Sequence, residues 1–156
     1  MSRLLIQNAH VFDGTGSVPF FSDVLVENGK IKKVALNITS AAGDRVVDAK
    51  GLALSPGFIN THSHNELELI KHPELLPVVG QGITTEVLAQ DGSSVTPLTD
   101  ELTQELADNM APLAGTLDIP YPWRSFQEYM EYVAKAKPAA RFVSLVGHGT
   151  IRMNVM

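Results

Sequence analysis

The chain contains no cysteine. That excludes a disulfide framework, a thiolate metal site and a cysteine nucleophile within its 156 residues. It suits a reducing compartment, and the expected location is cytoplasmic. Basic runs are also missing, and the formal net charge is -5. This argues against nucleic acid and anionic membrane surfaces as main partners. No apolar run approaches the length of a membrane span. The opening "MSRLLIQNAHVFDG" lacks the small-residue cleavage pattern of a signal peptide. There is no G-x-S-x-G, so a serine hydrolase elbow is not supported. Gly80, Gly82 and Gly92 do not form a phosphate-binding fingerprint. Internal repeats and low-complexity segments are absent too.

What remains is the composition of a globular protein, 44% hydrophobic and 19% charged. Residues 1–56 read as β-structure. "RLLIQNAHVFDG" offers two short apolar runs broken at Asn8. "DVLVENGKIKKVAL" is a hairpin centred on Asn28-Gly29, with Val24, Val26, Ile31 and Val34 as its apolar positions. "RVVDAKGLALSPG" adds another pair of short strands, and the spacing suggests a small sheet or sandwich.

After Pro56 strands alternate with helices. "GFINTH", "ITTEVLAQDG" and "RFVSLVGHG" read as strands. "NELELIKHPELLPVVGQG" is helical in parts and broken by Pro73 and Pro77. One amphipathic helix carries Leu102, Leu106, Met110 and Leu113, with Thr99 as its N-cap. A second opens on a Ser125–Glu128 capping box, with Phe126, Tyr129, Met130 and Val133 on its apolar face. This alternation predicts parallel strands with crossover connections.

In such a fold functional residues gather at the carboxyl ends of strands. The stretch "SPGFINTHSH" runs an apolar strand into His62 and His64. Their i, i+2 spacing puts both imidazoles on one strand face, as half of a metal site. Asp91 closes the second strand, as a further ligand or as an ordinary Asp-Gly turn residue. Glu86, inside that strand, is either paired with a neighbouring strand or a support for the site. His148 closes the third, between glycines that permit close approach, as a substrate contact or a histidine hydrogen-bonded in a turn. Arg152 could fork a substrate carboxylate or lie in a surface ion pair. His10 and His72 read as solvated or structural.

These residues resemble a known family. "LLIQNAHVFDGTG", "DVLVENGKIKKV", "VVDAKGLALSPGFINTHSHNE", "QGITTEVLAQDG" and "LVGHGTIR" are similar, in order, to the N-terminal part of the N-acyl-D-amino-acid deacylases, or D-aminoacylases, of the metal-dependent amidohydrolase superfamily. The resemblance implies an α/β fold: the N-terminal part of a (β/α)8 TIM-like barrel (residues 57–156), preceded by a small composite β-sandwich domain (residues 1–56). It implies hydrolysis of the N-acyl amide of D-amino acids with zinc, as one or two divalent ions. His62, His64 and Asp91 would be metal ligands, and His148 and Arg152 substrate contacts. Two positions depart from the family pattern. Asn60 stands where relatives often have aspartate, and Asp91 where they often have a cysteine ligand, which exchanges a soft donor for oxygen. The catalytic base is expected beyond residue 156. The isolated chain is therefore expected to be inactive and to need further polypeptide to complete the barrel. The competing readings are a cyclic-amide hydrolase of the dihydroorotase or hydantoinase kind, and a catalytically incomplete fragment.

Overall fold

The computed structural model describes residues 3–156. The chain divides into two compact units at Pro56–Gly57.

The first unit is one five-stranded sheet. Its strands are β1 (Arg3–Val11), β2 (Phe20–Glu27), β3 (Lys30–Ala35), β4 (Arg45–Asp48) and β5 (Ala53–Leu54). The spatial order is β3-β2-β1-β4, with β5 also paired to β1. Asn28 and Gly29 both take positive φ, 51° and 75°, and close the β2–β3 hairpin between the paired residues Glu27 and Lys30. That is the two-residue turn whose twist matches its strands.

Asn8 does not end a strand. It takes φ 56° inside β1, where the register against β2 shifts between Ile6 and Ala9. The extra residue reverses side-chain parity. Ile6, Ala9, Val11 and Val24 therefore share one small core, while Leu5, Leu25 and Ile38 form another. The bulge is held by Asp23, whose buried carboxylate accepts the Asn8 N–H at 2.9 Å and the Ile38 N–H at 2.8 Å. On the Ile6 face an open cleft of about 430 Å³ is lined by Phe12, Phe20, Val26, Ile31, Val34 and Leu54, among others. His10 lies stacked on Phe21, 4.7 Å between ring centroids.

The second unit runs β6 (Phe58–Asn60), α1 (Glu68–Lys71), α2 (Leu76–Val79), β7 (Ile83–Leu88), α3 (Thr103–Ala114), α4 (Phe126–Ala136), β8 (Arg141–Ser144) and α5 (His148–Val155). Its three strands are parallel in the order β6-β7-β8. The fold is α/β, with no closed barrel among the described residues. One core gathers Leu67, Leu69, Leu88, Leu106, Met110, Trp123, Tyr129 and Val133. Trp123 is fully buried and donates its indole N–H to the Val95 carbonyl at 2.7 Å. The Ser125–Glu128 capping box is present at the start of α4.

Three local expectations need correction. Pro77 sits in the first turn of α2, where its missing N–H has no intrahelical partner to lose. Leu113 is exposed and Ala114 takes its place on the buried face of α3. Thr99 precedes the helix by more than one residue; Leu102 is the N-cap, without a side-chain cap bond.

Candidate metal centre

Both histidines lie past the end of β6, in the loop Thr61–Asn65, so strand alternation is not what aligns them. The loop is bent back onto β7 instead. The Ser63 N–H donates to the Val87 carbonyl at 3.1 Å, and the Gln90 side-chain amide donates to the Thr61 carbonyl at 3.0 Å. Glu86, fully buried on β7, acts as the anchor. Its Oε1 accepts from Asn60 Nδ2 at 3.3 Å, Ser63 Oγ at 3.1 Å and Asn65 Nδ2 at 2.8 Å. Those three residues bracket His62 and His64. The carboxylate thus replaces its lost hydration with donors from the loop.

The turn after β7 supplies the partner. Ala89, Asp91 and Gly92 all take positive φ, 64°, 57° and 76°. Aspartate tolerates this region better than most side chains. The turn presents the Asp91 carboxylate to the loop. Asp91 Oδ2 lies 3.1 Å from His62 Nε2 and 3.3 Å from His64 Nε2. The two rings stand 5.8 Å apart at 72°. One ligand atom from each of His62, His64 and Asp91 falls within 4.8 Å of the others. Hydrogen bonding to His64 and then His62 holds the Asp91 carboxyl below the ordinary aspartate value.

The group is open on one side. His62 and Asp91 are exposed, while the His64 side chain is mostly covered, at 14%. Behind His64 stands Glu66, fully buried. Its Oε1 accepts the Ala89 N–H at 2.7 Å and lies 3.9 Å from His64 Nδ1. Burial pushes the Glu66 carboxyl above its usual value, despite hydrogen bonds that favour the charged form. Tyr121 and Tyr129 border it. The Tyr129 hydroxyl donates to the Glu66 carbonyl at 3.1 Å, and burial beside Glu66 pushes the Tyr121 hydroxyl up to about 12. Glu66 escaped the sequence reading because a glutamate in "HNELEL" looks like an ordinary solvated helix-start residue.

The third strand ends at Ser144, four residues before His148, which instead opens α5. The segment is latched to the Asp91 turn. The Gly149 N–H donates to the Gly92 carbonyl at 2.8 Å and the Gly147 N–H to Ser94 Oγ at 3.0 Å. Thr150 Oγ1 accepts from Ser94 N at 2.9 Å and donates to the Ser94 carbonyl at 3.0 Å. His148 and Arg152 are both exposed. No hydrogen bond or ion pair joins either to His62, His64 or Asp91 among the described residues.

The donor set is two imidazole nitrogens and a carboxylate oxygen, which suits zinc or a similar divalent ion. No family model matches the chain. Individual relatives do. The chain is 38% identical over 153 residues to N-acyl-D-aspartate deacylase of Alcaligenes xylosoxydans xylosoxydans, covering 97% of the chain and 29% of the relative. It is 30% identical to D-aminoacylase of the same organism, covering 98% of the chain and 30% of that protein. Among solved structures, N-acyl-D-glutamate deacylase of Bordetella bronchiseptica, in complex with zinc and a phosphonate inhibitor, superposes with a TM-score of 0.85 at 28% identity. That match covers 98% of the chain and 31% of the solved one. The chain matches the N-terminal portion of the N-acyl-D-amino-acid deacylase family. A D-aminoacylase structure described by its binuclear metal centre reaches a TM-score of 0.81 at 31% identity, again over 98% of this chain and 31% of that one. The chain thus spans about three-tenths of the length of these deacylases.

Proposed function

We propose that this chain contributes the first metal ligands of a deacylase that hydrolyses the N-acyl amide of N-acyl-D-amino acids. The observation that carries the reading is the convergence of His62 Nε2 and His64 Nε2 on Asp91 Oδ2. Those three residues would hold a divalent ion, zinc by likeness to the deacylase solved with it. A cation bound there would supply polarisation of the acyl carbonyl and an acidified water. The chain's own residues do the positioning. Glu86 fixes the loop, the turn at Ala89–Gly92 aims the Asp91 carboxylate, and the exposed side of His62 and Asp91 leaves room for substrate. His148 and Arg152 are proposed as substrate contacts, with Arg152 suited to a carboxylate.

The proton-transfer group is assigned to polypeptide outside these residues, as is the rest of the barrel. Support comes from the three-stranded parallel sheet, which has unpaired edges, and from the share of the deacylases that the chain spans. The five-stranded unit would then be one layer of a composite sandwich. Among the described residues no helix is long and apolar enough to cross a membrane. A cytoplasmic location belongs to the same reading and rests on the absence of cysteine.

The test is zinc content and amino-acid release by the complete protein carrying this chain. It should release D-aspartate, D-glutamate or a neutral D-amino acid from its N-acyl derivative, and lose that activity to a chelator. Turnover of a dihydropyrimidine or hydantoin instead would select the cyclic-amide reading. A pure, folded protein without bound metal or turnover of either class would remove both.

A further inference from the structure

Glu66 is a buried carboxylate that the reaction above does not use. It sits between two parts of the metal group. One carboxylate oxygen, Oε1, accepts the N–H of Ala89, two residues before Asp91, at 2.7 Å. The same oxygen lies 3.9 Å from Nδ1 of His64. Its other oxygen, Oε2, is buried with no hydrogen-bond partner among the described residues.

His64 Nδ1 is in the same condition: it is buried and has no hydrogen-bond partner among the described residues. That matters once Nε2 is engaged. An imidazole that gives its Nε2 lone pair to a cation must carry its proton on Nδ1. A buried N–H without an acceptor is unfavourable, and histidine ligands nearly always donate this proton to a carboxylate, carbonyl or water. Glu66 Oε1 is the acidic oxygen within reach of it. The present separation exceeds a direct hydrogen bond, so a small closing movement or an intervening water completes the contact. Oε1 is an acceptor whether or not Glu66 is protonated, because the Ala89 N–H already donates to it.

We propose that Glu66 is a positioning residue for His64, offering the acceptor its Nδ1–H requires when Nε2 binds a divalent cation and tying that requirement to the turn that carries Asp91. This rests on the metal reading of His62, His64 and Asp91.

The experiment compares Glu66→Gln and Glu66→Met in the complete protein. Glutamine keeps an oxygen for both donors; methionine has similar length and offers no comparable acceptor. Three quantities are read: zinc affinity by chelator competition, the visible spectrum of the cobalt(II)-loaded protein, and the melting temperature of the metal-free protein. The expected result is a zinc affinity for Glu66→Met roughly ten- to a hundred-fold below the parent, with an altered cobalt spectrum. Glu66→Gln should remain close to the parent in both. A Glu66→Met protein that melts lower yet binds zinc as tightly, with the parent cobalt spectrum, would show a merely structural glutamate and overturn the proposal while the metal reading stands. Equal losses in Gln and Met would overturn the acceptor role. A parent protein that binds no zinc or cobalt overturns the metal reading itself, and this proposal with it.

Discussion

A β-carbon on Gly147 would stand 2.5 Å from the carbonyl oxygen of Gly92 and 2.7 Å from the carbonyl carbon of Ser93. The two backbones touch, and only hydrogen fits between them. The segment before α5 is thereby seated against the turn that presents Asp91. Gly147→Ala should force the two apart and destabilise the protein by about 1–3 kcal/mol, the usual range for overpacking. Urea unfolding measures it. A midpoint equal to the parent's would mean the contact yields freely.

His62→Ala and His64→Ala should each remove most of the metal bound by the complete protein. His62 is exposed, so its loss should leave the melting temperature of the metal-free protein unchanged. Metal content by plasma mass spectrometry, beside far-ultraviolet circular dichroism, checks both statements. Full metal occupancy in either variant would refute the ligand assignment.

Asp91→Asn keeps the shape and tolerates the left-handed backbone at φ 57°. It removes the charge that faces both imidazoles. Metal stoichiometry or affinity should fall while stability hardly changes. Unchanged binding would return Asp91 to the role of a turn residue.

The first unit has an acid-sensitive tie. Asp44 accepts the Ala41 N–H at 2.8 Å and the Arg3 Nε–H at 2.7 Å. These bonds, the backbone one first, lower its carboxyl below the usual 3.8. A carboxyl lowered on folding adds stability above its unfolded value and loses it as pH falls through the folded value. The contribution of Asp44 is therefore complete at neutral pH, begins to fall below about pH 4 and is lost as pH drops through the lowered folded value. Asp44→Asn should be less stable than the parent at pH 7, with the gap narrowing on acidification. A gap independent of pH down to the acid transition would contradict this.

Ser125 accepts the Glu128 N–H at 3.2 Å, and Glu128 returns a bond to the Ser125 N–H at 2.8 Å. Ser125→Ala should lower stability by about 1 kcal/mol, as lost N-caps do. The shift in denaturation midpoint reads it directly.

The readings that succeeded from sequence were those that local chemistry decides. Asn28-Gly29 had to turn, because both residues accept positive φ. Ser125 and Glu128 announced a helix start, because each satisfies a backbone N–H of the other. The alternation after Pro56 implied parallel strands, because crossovers require it. His62 and His64 were recognisable by type, yet their alignment comes from a loop tied down by Glu86, a carboxylate 26 residues from Asn60. Glu66 was invisible for the same reason. Its burial depends on Ala89, Tyr121 and Tyr129, none of which is a sequence neighbour. The bulge at Asn8 looked like a break, since a parity change and a strand end leave the same interruption in an apolar pattern.

The apolar face of the first unit bears on synthesis. Phe20, Ile31 and Val34 lie on that face and remain substantially exposed. In the composite sandwich proposed above, their covering layer would come from polypeptide outside this unit. Translation runs at about 5–20 residues per second, so on that proposal this sheet would wait uncovered while the layer is made. Until such a layer arrives the nascent chain would be a natural client for chaperones, and its yield in a cell would depend on how fast the layer docks.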